Sequence, residues 1–97
     1  MYKLVILEPA LKDLDEAITW YNEQNVKLSK QFFKDIEHHM EIIVKTPYLF
    51  PVQFSEIFRF AVLKKFPYRI VYKIDEVDKI IYINSIFHTK RNPTKFQ

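Results

Sequence analysis

In the second half of this 97-residue sequence, His88 is the one side chain that ordinarily titrates near neutrality, and cations surround it: Arg59, Lys64, Lys65, Arg69, Lys90 and Arg91. Cleavage of RNA through its own 2′-hydroxyl asks for a similar set, with a proton acceptor, a donor for the leaving oxygen and positive charge on the phosphorane. His88 with Arg59, Arg69 and Arg91 is therefore a candidate catalytic group, although one imidazole supplies only half of an acid–base pair. Glu56 precedes Arg59 but opens a strand, where no spacing aims it at a substrate. Without catalysis, the same Arg59, Lys64, Lys65, Arg69, Lys90 and Arg91 form a candidate surface for phosphates or for a partner's carboxylates. Arg59 and Arg69 fall on neighbouring predicted strands and are expected to share one face. The plainer reading makes them cross-strand surface charges and His88 a strand-end residue packed on Phe87.

Other chemistries lack their residues. With no cysteine there is no thiolate nucleophile, disulfide framework or cysteine zinc site, which fits a reducing cytoplasm. With no glycine, the phosphate-wrapping and dinucleotide loops and the GxSxG elbow are excluded, as is any glycine-made turn through positive φ. His38 and His39 are adjacent on a predicted helix, about 100° apart, so they do not form a ligand pair. Ser29, Ser55 and Ser85 have no base or orienting acid in their sequence context. No metal and no cofactor are expected. Leu4 to Leu7 is too short for a signal-peptide core and no uncharged stretch is long enough to span a bilayer, so a soluble, cytoplasmic chain without membrane partners is expected.

The elements that must position these residues follow from periodicity. Residues 2–7 read as a strand ending at Glu8-Pro9, which is a helix start. Leu11, Leu14, Ile18 and Tyr21, widened by Ala17 and Trp20, mark an amphipathic helix to about Glu23. The pattern breaks over residues 22–25 and resumes with Leu28, Phe32, Ile36, Met40 and Ile43 until Thr46-Pro47, giving an αα-hairpin. Residues 46–55 read as an ordered connector packed on the core by Tyr48, Leu49 and Phe50. From Ile57 the period drops to two: Phe58, Phe60 and Val62 oppose Arg59 and Ala61. Tyr68, Ile70, Tyr72 and Ile74 likewise oppose Arg69, Val71 and Lys73. After a polar turn at residues 75–79, the nearly all-apolar run 80–87 suits a central strand buried on both faces. A single domain over residues 1–97 is expected, α+β in class, ordered β-α-α-β-β-β, with the helix pair on one face of a small, mostly antiparallel sheet and the other face left for function.

Charge is divided along this frame. The whole chain carries 15 basic and 12 acidic residues, net +3, but residues 1–45 hold eight acids and six bases and residues 46–97 four acids and nine bases. The second half, at about +5, implies an anionic partner, either nucleic acid or an acidic protein segment.

The stretches Ile57-Phe58-Arg59, Leu63-Lys64-Lys65-Phe66-Pro67-Tyr68-Arg69-Ile70-Val71-Tyr72 and Phe87-His88-Thr89-Lys90-Arg91-Asn92-Pro93 resemble the ParE/RelE family of toxins from type II toxin-antitoxin modules, in particular the ParE-like branch. The opening strand running into Pro9-Ala10-Leu11-Lys12-Asp13-Leu14 is similar to the family's first helix, so the likeness covers essentially the whole chain. It implies growth inhibition as the toxin of a plasmid-stabilisation type of module, neutralised by a cognate acidic antitoxin. ParE-like members bind DNA gyrase and are not enzymes, whereas RelE-like members cleave messenger RNA on the ribosome without metal. Thr89 stands where several ribonucleolytic relatives carry a tyrosine, which favours the ParE-like expectation. A degenerate member that only binds its partner is a third alternative. The basic tail with Lys90, Arg91 and Lys95 is expected to matter for toxicity more than for the fold.

Overall fold

A computed structural model describes residues 1–90. Strand β1 (Lys3–Ile6) leads into helices α1 (Glu8–Gln24) and α2 (Val26–Lys45), followed by β2 (Arg59–Val62), β3 (Tyr68–Asp75) and β4 (Ile80–His88). The sheet order is β1-β4-β3-β2, with β1 parallel to β4 and the other two pairings antiparallel. The fold is thus α+β in the order expected: β2, β3 and β4 form the meander, and β4 lies inside the sheet between β1 and β3.

The helix break is sharper than the pattern suggested. Only Asn25 leaves helical geometry, because it serves both helices: its N–H donates to Tyr21 O of α1, and its Oδ1 accepts from Lys27 N and Leu28 N at the start of α2. α1 buries Ala10, Ala17 and Tyr21, whereas Leu11 and Trp20 lie exposed. The small alanines let α1 approach the sheet closely, which turns the stripe away from Leu11. α2 buries Phe32, Ile36, Met40 and Ile43 as expected, and these pack with Tyr68, Ile70, Tyr72, Ile81, Ile83 and Ile86 from the sheet.

The connector departs from expectation in what holds it. Phe50 packs against the core as expected, but Tyr48 and Leu49 are exposed and polar anchors stand in for them: Tyr72 OH donates to Pro47 O at 2.6 Å, and Arg59 Nη1 donates to Phe50 O at 2.6 Å. β2 begins at Arg59 rather than Ile57, because Ser55 Oγ accepts from Ile57 N and Phe58 N and curls the chain there. The second sheet face is also not left bare. Phe60, Val71 and Phe87 are buried on it with Phe58 beside them, and Phe54 of the connector stacks edge-on against Phe60. Two residues do turn through positive φ without glycine, Phe54 at 62° and Lys79 at 55°, the latter closing the β3–β4 hairpin.

β4 contains an irregularity that sets the site. Val71 pairs with Ser85 but Tyr72 pairs with Ile83, leaving Asn84 as an extra residue. Strict alternation would put Ile86 and His88 on the face opposite Ile81 and Ile83. The bulge returns them to the helix side, and Ile86 is buried there with Ile81 and Ile83.

Candidate functional site

The bulge places His88 opposite Tyr68, whose ring it meets edge-on at 5.1 Å between centroids. Next to it, Asp13, Glu16 and Ala17 of α1 and Ile86 and Phe87 of β4 line a cavity of about 250 Å³. His88 Nδ1 accepts the Lys90 N–H at 3.0 Å, which leaves the ring proton on Nε2 and no lone pair disengaged to act as a base. The carboxylates of Asp13 and Glu16 oppose a phosphate in this cavity, and they suit a cationic group instead.

Asp13 had no signal as more than one charge on the polar side of α1. Its Oδ2 accepts from Ser85 Oγ at 2.9 Å and Ile86 N at 3.0 Å. The reason is topological: β1 stops pairing at Ile6, opposite Ile83, so β4 continues past it with an uncovered edge that Asp13 satisfies.

The arginines do not share a face, contrary to expectation. Arg59 pairs with Tyr72 and Val62 with Arg69, so Arg59 lies on the side of Tyr72 and Arg69 on the side of Val62. Arg59 is engaged within the fold, bonded to the Phe50 and Tyr48 carbonyls, with its guanidinium 4.9 Å from the Tyr48 ring centroid. Arg69 is half-buried on the other face beside Phe87, and its Nε is buried without a hydrogen-bond partner. Lys73 lies on this same face over the Tyr82 ring, 5.5 Å from its centroid.

Arg59 is also remote from His88 along the strands. Its partner Tyr72 meets Ile83, five positions before His88, which at about 3.3 Å per residue is roughly 15 Å. Arg69 neighbours His88 in register but projects through the opposite face. Lys64 and Lys65 are exposed in the β2–β3 hairpin, and Lys90 is exposed after β4. Arg91 and the basic tail lie outside the described residues. Among the described residues no three metal-ligating side chains gather, and no helix is long and apolar enough to cross a membrane.

A second polar cluster, absent from the sequence reading, lies at the far end of the sheet. Glu76 accepts from Tyr2 OH at 2.7 Å, from Tyr48 OH and from Lys79 Nζ. These bonds, led by the one from Lys79, hold the Glu76 carboxyl down at about 2. Glu76 in turn pushes the Tyr48 phenol up to about 12 and raises that of Tyr2.

A helix pair on a four-stranded mixed sheet, in the element order β-α-α-β-β-β, is a RelE/ParE-like toxin fold. Comparison at the family level matches residues 4–93 to the ParE toxin of type II toxin-antitoxin system, parDE. The chain belongs to the ParE toxin family. Among solved structures it is similar to a chain of the chromosomal ParDE TA system from P. aeruginosa, at 20% identity and TM-score 0.76, with 91% of this chain and 96% of that one covered. It is similar also to a chain of the intact E. coli RelBE toxin-antitoxin complex, at 17% identity and TM-score 0.63, covering 94% of this chain and 100% of that one. The isolated E. coli RelE toxin gives 17% identity and TM-score 0.63, with 94% and 87% covered. No curated protein matches the sequence.

Proposed function

We propose that this ParE-family toxin arrests growth by binding a cellular target, DNA gyrase, rather than by cleaving RNA, and that an acidic cognate antitoxin neutralises it. The observation that carries this reading is the separation of His88 from the described arginines: the Asn84 bulge turns His88 toward two carboxylates, while Arg69 faces the opposite side and Arg59 holds the connector. Ribonuclease chemistry needs those groups around one phosphate. Binding needs only that Arg69, Lys64, Lys65 and Lys90 present positive charge to a partner. The charge of the second half supports salt-sensitive capture of an acidic partner.

The test is inducible expression in a bacterial host without antitoxin, scoring growth, DNA content and message integrity together. Arrest with filamentation, a DNA-damage response and intact messages is expected, unchanged in kind by His88→Ala and weakened by Arg69→Ala. Rapid message cleavage that disappears in His88→Ala would overturn the proposal in favour of a ribonuclease. Soluble expression without arrest would overturn it in favour of a degenerate partner-binding member.

A further inference from the structure

We propose that the connector between α2 and β2 joins two copies of this chain, edge to edge and antiparallel, about a twofold axis at Val52. The pairing is independent of which cellular target the toxin binds.

The backbone of the connector is an unfinished sheet edge. Phe60 N donates to Pro51 O at 3.1 Å, Gln53 N donates to Phe58 O at 3.3 Å, and Val52 bridges Arg59 between them. In an antiparallel ladder a residue flanked by such bonds turns its own N–H and C=O the other way, so those of Val52 point away from β2. Pro51 takes no donor from this outer side, because its missing N–H would have faced β2. Across a twofold axis, Val52 gives its N–H to the Val52 carbonyl of a second copy and receives the same bond in return.

Charge indicates which occupant the edge suits. Exposed edges are commonly blunted by charged side chains. β1 carries Lys3, with Glu37, Glu41 and Lys45 on the adjoining side of α2, and β2 runs out into Lys64 and Lys65. Residues 46–55 hold no charged side chain, within a half that has nine bases and four acids. The nearest cation, Arg59, is engaged by the Tyr48 and Phe50 carbonyls. An acidic partner therefore gains little here, whereas a second copy meets no like charge. The side chains are apolar instead: Val52 is 42% exposed, Phe54 66% and Ile57 61%, with Tyr48 and Leu49 exposed beside them in the sequence.

Phe54 ends the edge segment in a conformation that bulky residues ordinarily avoid, at φ 62°, with its ring edge-on to Phe60. Such backbone strain persists where the surroundings hold it, and it concentrates at sites of function. In the twofold register residue 54 falls opposite residue 50, so each Phe54 is carried toward Leu49 and Phe50 of the other copy. These side chains add apolar burial to the two main-chain bonds on the axis.

Sedimentation of the purified full chain is expected to show a monomer–dimer equilibrium. Val52→Lys sets two ammonium groups side by side on the axis and is expected to raise the dissociation constant roughly tenfold or more, with the near-ultraviolet dichroism unchanged. A crosslink gives a readout that does not depend on that variant. The chain has no cysteine, and the Cα atoms of a hydrogen-bonded antiparallel pair lie about 5.5 Å apart, within disulfide range. Under mild oxidation Val52→Cys should form a covalent dimer much faster than Val77→Cys, whose exposed position lies in the β3–β4 hairpin. A chain that stays monomeric into the high micromolar range, a dimer that a folded Val52→Lys variant leaves intact, or equal crosslinking of the two cysteine variants would each overturn the proposal.

Discussion

Asp13 is a residue whose role is set by what the neighbouring strand fails to cover. One carboxylate oxygen accepts two donors from the stretch of β4 that extends past β1. Asp13→Ala leaves those donors without it, at a cost of about 1–3 kcal/mol in denaturant unfolding. Asp15→Ala, one half-turn away and exposed, should stay within about 0.5 kcal/mol of the parent. A comparable loss from both would show that Asp13 contributes only charge. Arg59 and Arg69 divide along similar lines. Removing Arg59 should lower stability, because the Phe50 carbonyl loses its donor, whereas Arg69→Gln should act on partner capture while the fold persists.

Among the elements, the helix hairpin depends on a one-residue hinge. Asn25→Ala removes the side-chain acceptor for Lys27 N and Leu28 N and is expected to cost about 1 kcal/mol, with Asn25→Asp recovering most of it. If alanine and aspartate behave alike in thermal melts, the cap contributes nothing. β4 is the more consequential element. Deleting Asn84 would remove the extra residue and leave Ile86 and His88 in strict alternation with Ile81 and Ile83 on the helix side, whereas inserting one alanine after Asn84 would turn them to the opposite face, uncovering a buried isoleucine. The insertion variant should therefore lose its near-ultraviolet dichroism and sharp unfolding transition, and the deletion variant should keep both. An insertion variant that stays cooperatively folded would mean that the face of β4 after residue 84 does not matter to the core.

At the scale of the whole molecule, the Glu76 cluster ties together segments distant in sequence: Tyr2 ahead of β1, Tyr48 of the connector and Lys79 of the β3–β4 hairpin. Its pH dependence has a definite sign. The Glu76 carboxyl is held at about 2 against an ordinary 4.5, so its contribution is complete above about 4.5 and is lost as pH falls toward 2. The Tyr48 phenol, raised to about 12 by Glu76, and that of Tyr72, raised to about 12 by burial, contribute fully below 10 and lose their effect as pH rises through 12. Unfolding midpoints across pH should show both limbs, and Glu76→Gln should flatten the acid one. An unchanged acid limb in that variant would assign it to other carboxylates.

Much of this architecture was legible before any coordinates. The period-two patterns of residues 57–62 and 68–74 assigned β2 and β3 and the faces of their side chains, because alternation is local geometry. The apolar run from Ile80 marked an inner strand, but burial on both faces holds only from Ser85 to Phe87, since Ile80, Tyr82 and Asn84 are half-buried. The α2 stripe was read correctly for the same kind of local reason. The family resemblance lay in short segments whose order survives without knowledge of contacts. What the tertiary structure decided was which of these surfaces meet. The two arginines parted because cross-strand register depends on the hairpin that joins β2 to β3, and no pattern within either strand fixes it. His88 turned toward Asp13 because one extra residue in β4 reverses the face of everything after it, and Asn84 looks in sequence like a single polar interruption. Asp13 gained its partners, and Glu76 its two tyrosines, from segments more than twenty-five residues away. Chain connectivity alone does not encode such juxtapositions, since they follow from how the packed layers close around the core.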